Sequence, residues 1–244
     1  ESERLGLRFA CVLCVGEFFP REDEDSTADG IDVAEYLSGR AKAPLPTYFL
    51  RGSDFNGLTW LKAIGASGMF CDNMEFLGSA GVRELHGLTV TFVSDSPDAG
   101  ATEKAIGELA EIAAQKGFAG SDILLSNSWP TAIASSEHLD GEPAAPAPLR
   151  KPCTLAGCAA ALMRPRYHFA AGQGQLWERA AYENAAVPHV GRFVALAPLA
   201  AAGSDDAGNR PLHALTATTL GSLPAAELWE RPERLTPCPY DSIG

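Results

Sequence analysis

Leu162–Glu178 reads LMRPRYHFAAGQGQLWE, and the reading of its middle decides the fold. Tyr167, His168 and Phe169 carry a short apolar signal that stops abruptly at Gly172-Gln173-Gly174. A strand that ends in glycines delivers side chains, or a bare backbone, to the rim of a sheet. The preceding Leu155–Met163 is small and apolar, which suits a helix packed on that sheet.

Further strands are expected at Phe9–Val15, Pro44–Leu50, Asp122–Leu125, Trp177–Tyr182, Gly191–Leu199 and Leu212–Leu220, with Met74–Leu77 before Gly78. Phe9–Val15 is apolar throughout, the pattern of a buried strand. Val82–Leu85 and Leu88–Val93 flank His86-Gly87 as a hairpin. Thr102–Lys116 places Ala105, Ile106, Leu109, Ile112 and Ala113 on one helical face, and Gly117 stops it. Shorter helices are expected at Ile31–Leu37, capped by Asp29, at 58–65 and at Leu223–Leu228. Ala134–Pro152 and Ala200–Arg210 read as loops. Strands with interspersed helices make one sheet-centred α/β domain over 1–231, and 232–244 reads as a Pro-rich exit segment.

Composition narrows the function. The chain has 244 residues, with 31 acidic against 19 basic side chains and a net charge of −12. Such a domain repels phosphate backbones unless its cations cluster, so a protein partner is expected and RNA contact is indirect or weak. No apolar run approaches the ~20 residues that span a bilayer. The charged opening Glu1-Ser-Glu-Arg is unlike a signal peptide, so an intracellular protein is expected. Cys11 and Cys14 form a CxxC inside an apolar strand rather than on a turn, which favours structural thiols over a redox or zinc site.

Strand ends at Gly16-Glu17, Gly52-Ser53-Asp54, Ser126-Asn127 and Ala171-Gly172-Gln173-Gly174 share a pattern, an apolar run followed by a small polar turn. Ligands of α/β sheets collect beyond the carboxyl ends of strands. As a set these residues are poor metal ligands, because a two-metal hydrolase needs several carboxylates and imidazoles, and none of these turns carries a histidine.

The turns occur in the order and spacing of the calcineurin-like metallophosphoesterases, especially the lariat-debranching branch. More closely, the chain resembles the N-terminal domain of the CwfJ (Cwf-nineteen-like) splicing-factor family. The segments that carry the resemblance are CVLCVGEFFP (11–20), APLPTYFLRGSDF (43–55), FLGSAGVRELHGLTVTFVS (76–94), SDILLSNSWP (121–130) and RPRYHFAA (164–171). The resemblance implies an α/β metallophosphoesterase-like β-sandwich of mixed sheets flanked by helices, lacking its first strand, with Phe9–Val15 at a sheet edge if no other segment fills the slot.

It also implies that the metal site is vestigial. Glu17 stands where active relatives have a metal-binding Asp, and Ser53 and Asp54 replace an Asn and a His. Asn127 replaces the His before the Trp-Pro pair, and Gly172 and Gly174 replace a His-x-His pair. The implied function is that of a non-catalytic pseudo-phosphoesterase domain, without metal or cofactor. It would bind or modulate the lariat debranching enzyme, among spliceosomal proteins, in late intron-lariat complexes of the nucleus. The competing readings are a residual metal-dependent phosphodiesterase using Glu17, Asp54 and Asn127, and a direct lariat-RNA binder.

Asp54 is read either as a turn residue capping its own backbone or as a surviving acid/base. His168, between two aromatic residues, reads as a structural histidine. Trp129, Arg164, Arg166 and Tyr167 are the candidate partner contacts, since Trp, Tyr and Arg are the common anchors of interfaces.

Overall fold

The computed structural model describes residues 8–19, 33–52, 64, 68–94, 98–134, 152–199, 211–241 and 243. Ser53, Asp54, the Asp29 cap, the 58–65 helix apart from Ile64, most of the 134–152 loop and the 200–210 loop lie outside these residues.

Two sheets are built. The smaller contains β1 (Val12–Cys14), β2 (Thr47–Phe49), β3 (Met69–Cys71) and β4 (Met74–Phe76), in the order β1-β2-β4-β3. β1, β2 and β4 run parallel, and β3 turns back antiparallel on β4 through Asp72-Asn73. The larger has the order β12-β10-β11-β8-β7-β6-β5, with β9 also paired to β11. Its members are β5 (Ala80–Leu85), β6 (Leu88–Val93), β7 (Ile123–Ser126), β8 (Tyr167–Ala170), β9 (Trp177–Glu178), β10 (Ala181–Glu183), β11 (Val190–Ala195) and β12 (Leu235–Thr236). β6, β7, β8 and β11 are mutually parallel, and Val93, Ser126, Ala170 and Ala195 stand in register at their carboxyl ends.

Four helices complete the described fold: α1 (Val33–Leu37), α2 (Ala99–Ala113), α3 (Thr154–Met163) and α4 (Ala225–Leu228). Asp98 starts α2 by accepting from the N–H groups of Gly100 at 2.9 Å and Ala101 at 3.4 Å, and Ala105 and Leu109 form its buried stripe. Alternation along β8 sets the layers. Tyr167 and Phe169 face the space between the sheets, where they meet Leu50, Leu77, Phe92, Leu125 and Val194. His168 and Ala170 face the other way, toward Leu109, Leu155, Met163 and Phe193 beneath α2 and α3. On the outer face of the small sheet, Val33 of α1 joins Phe49, Phe70, Phe18 and Phe19.

Several expectations change. β1 is not a buried strand: among the described residues it lies half-exposed at the edge of its sheet, and Phe9 and Val12 reach solvent. Trp177–Tyr182 divides into β9 and β10, because Arg179 turns its guanidinium inward to donate to the Ile133 carbonyl at 3.2 Å. Leu212–Leu220 joins no sheet and ends in a 3-10 turn at Leu220–Ser222, because it is held by side chains rather than by a strand. Leu215 enters the inter-sheet core, the Thr218 carbonyl accepts from Arg166, and Asp122 accepts from Thr219 Oγ1 and Leu220 N. The exit segment is part of the core: β12 pairs parallel with β10, and Tyr240 is buried edge-on against Tyr182.

Candidate functional site

The strand-end turns that are described come together at one rim. β1 runs into Gly16-Glu17, β2 into Arg51-Gly52, β7 into Asn127-Ser128, and β8 into Ala171-Gly172. The buried side chain of Asn127 ties them. Its Oδ1 accepts from the Gly16 N–H at 2.9 Å, and its Nδ2 donates to the Arg51 carbonyl. Arg51 N donates in turn to Ser94 Oγ at 3.3 Å, and that hydroxyl lies 3.4 Å from the Gly78 carbonyl. One amide thus joins the ends of two small-sheet strands to the end of a large-sheet strand.

Packing closes the same rim. Gly172 has φ +90°, and a Cβ there would lie 2.6 Å from the Asn127 carbonyl oxygen. Gly16 has φ +89°, and its Cβ would lie 2.9 Å from Ala171 Cβ. Both positions need glycine for backbone conformation and for space. The exposed Glu17 carboxylate fills the room over Gly52, where any side chain would overlap it.

Among the described rim residues no ligand set for a two-metal centre comes together. Both ends of the Asn127 amide are committed to backbone, Gly172 has no room for an imidazole, and Gly174 offers no side chain. Among the described residues no group of three or more His, Cys, Asp or Glu side chains is placed to hold a metal ion. What the rim does chemically is satisfy buried backbone polar groups.

The candidate partner contacts separate. Trp129 is corrected to a core residue: it is 1 % exposed, stacked on Trp177 at 4.9 Å and edge-on to Phe193. Arg164, Arg166 and Tyr167 lie at the opposite end of β8 from the rim. The Arg166 guanidinium carbon is 5.3 Å from the Tyr167 ring centre, and that of Arg192 is 5.7 Å away. Sequence reasoning missed Arg192, which reaches Tyr167 only through the parallel β8–β11 register. A signal was there, since alternation puts Arg192 on the same side of its strand as Val194. It also missed Asn127 as a brace, because its partners on β1 and β2 come from the other sheet.

His168 is fully buried. Ser126 Oγ donates to the Ser128 carbonyl at 2.9 Å and accepts from His168 Nε2 at 2.8 Å. Burial pushes the imidazole from its ordinary 6.5 down to about 3, so the ring stays neutral. Enclosed on both strands, the Ser–His pair is structural. Burial also raises the thiols of the CxxC, that of Cys14 to about 11.

These features define the class as an α/β domain of two packed sheets, with parallel strands that end at a common rim braced by its own hydrogen bonds. The chain belongs to the CWF19-like (CwfJ) family. It is 32% identical over 256 residues to a CWF19-like protein 1 homolog of Caenorhabditis elegans, covering 99% of this chain and 44% of that protein. It is 29% identical to CWF19-like protein 1 of Mus musculus, covering 97% of this chain and 44% of the relative. It is also 29% identical to zinc finger CCCH domain-containing protein 59 of Oryza sativa subsp. japonica, covering 96% of this chain and 39% of that protein. The chain therefore spans less than half the length of these relatives. No family model matches it.

Proposed function

We propose that this is a non-catalytic, metallophosphoesterase-like domain of a nuclear splicing factor, which binds or modulates the lariat debranching enzyme in late intron-lariat complexes. Membership of the CWF19-like family supports the splicing role. The observation that carries the non-catalytic part is the braced rim. Asn127 spends its amide on Gly16 and Arg51, and Gly172 leaves no volume where the resemblance requires an imidazole. A hydrolytic centre needs ligands free to bind metal and water. This rim uses its polar groups to hold the fold.

The experiment is a capture assay with the full-length factor against purified debranching enzyme and against intron-lariat complexes, run beside a phosphodiesterase assay on branched RNA with added Mn²⁺. Association without hydrolysis is expected. Loss of association with both would overturn the partner assignment. Metal-dependent cleavage abolished by Glu17→Ala would establish the residual-enzyme reading instead. Salt-dependent binding of branched RNA to the domain without protein would favour the direct RNA binder.

A further inference from the structure

The N-terminal end of β8 presents an anomaly of charge. In a chain with net charge −12, Arg166 and Arg192 both lie over Tyr167 with Arg164 just upstream, and among the described residues none of the three is paired with a carboxylate. Arg192 N donates to the Arg166 carbonyl at 3.0 Å, which locks the two residues side by side across the β8–β11 register. Arg166 Nη1 is oriented by the Thr218 carbonyl at 3.0 Å. Asp122, the neighbouring acid, has its oxygens occupied by other donors: Thr89 N at 2.7 Å, Leu220 N at 2.6 Å and Thr219 Oγ1 at 3.1 Å.

Arg164 supplies an independent observation. It ends α3 in the left-handed conformation at φ 45°, a place where glycine is the usual residue. Holding an arginine there strains the backbone, and such strain points to a use for the side chain. Its Nε is buried and makes no hydrogen bond.

We infer that the Arg166–Tyr167–Arg192 cluster, with Arg164 just upstream, is a docking site for a phosphate monoester on a protein partner, a phosphoserine or phosphothreonine. Guanidinium forks match the oxygens of a phosphate, and packing over one ring pre-orients two of them. A nucleic-acid strand fits less well. Both guanidiniums already lie over the Tyr167 ring, so a stacking base would have to displace them, and the acidic domain repels a polyanion. The inference deepens the reading of this domain as a protein-binding module and rests on it for the partner being a protein.

The test titrates the full chain with O-phosphoserine, then with a phosphoserine peptide, and follows arginine Nε–Hε resonances by NMR. Saturable shifts confined to Arg166, Arg192 and Arg164, absent with serine, are expected. Arg166→Gln and Arg192→Gln should each weaken binding about tenfold or more, and the Lys variants less. If a variant fails to fold, the wild-type resonances still decide. No shift, or an equal shift on every arginine, overturns the site. Tighter binding of a short single-stranded oligoribonucleotide at the same resonances overturns the phosphopeptide assignment. Debranching enzyme captured equally by the Arg166→Gln/Arg192→Gln double variant would refute this site and leave the proposed function standing. Phosphoserine binding without capture would refute the named partner and leave the site standing.

Discussion

At its carboxyl end β8 runs into Gly172, where there is no side chain and the neighbouring Asn127 amide is committed to backbone. At its amino end it starts from Arg166 and Tyr167, where two guanidiniums lie over one ring and, among the described residues, form no ion pair with a carboxylate. The first end is closed: Asn127 bridges Gly16 and Arg51, and the glycines let backbones touch. The second holds charge in readiness. An enzyme of this architecture would carry its unsatisfied groups at the carboxyl end of the strands. Here the grouped arginines sit at the other end, and the proposed docking site lies there rather than at the rim.

Breaking the closed end should have the largest effects. Gly172→Ala must adopt φ +90° and push a Cβ against the Asn127 carbonyl, which is expected to lower stability by about 3 kcal/mol in urea unfolding. Asn127→Ala leaves the Gly16 N–H and the Arg51 carbonyl without partners in a buried site, an expected loss of about 2–3 kcal/mol by the same measurement. His168 sharpens the comparison through pH. Its folded-state pKa lies near 3 against an ordinary 6.5, so between these values the unfolded chain binds a proton that the folded chain excludes. Its contribution is therefore complete above about pH 6.5 and declines toward pH 3, by at most about 1.4 kcal/mol per unit. Burial of His189 acts in the same direction. Unfolding midpoints at about pH 7 and about pH 5 should converge in His168→Gln relative to wild type. The open end should tolerate change best: Arg166→Gln or Arg192→Gln is expected to alter stability by less than about 1 kcal/mol.

The sequence made part of this legible. The hairpin around His86-Gly87, the Asp122–Leu125 strand, the 102–116 helix and the strand at Tyr167 were readable because apolar period and turn residues agreed locally. The edge exposure of β1 was not, because an apolar run alone does not say whether a neighbour covers it. Pro232–Gly244 misled by composition: prolines and short length conceal a strand whose partner, β10, lies far back in the chain. Trp129 misled by residue type, since the Trp that anchors an interface is as well suited to a core. At the rim, the spacing of the turns foretold which segments meet, at least for Gly16, Asn127 and Gly172. The brace itself was hidden, because a side-chain bond between two sheets leaves no local pattern.

On the proposed reading, protein hydrogen bonds rather than a metal hold the rim together. A ligand bound by the folded state alone raises the melting temperature in a concentration-dependent, saturable way. Thermal unfolding of the chain should therefore be unchanged by EDTA and unchanged by Mn²⁺ or Zn²⁺ up to millimolar levels. A saturable rise in melting temperature with either ion, lost in Glu17→Ala, would contradict it.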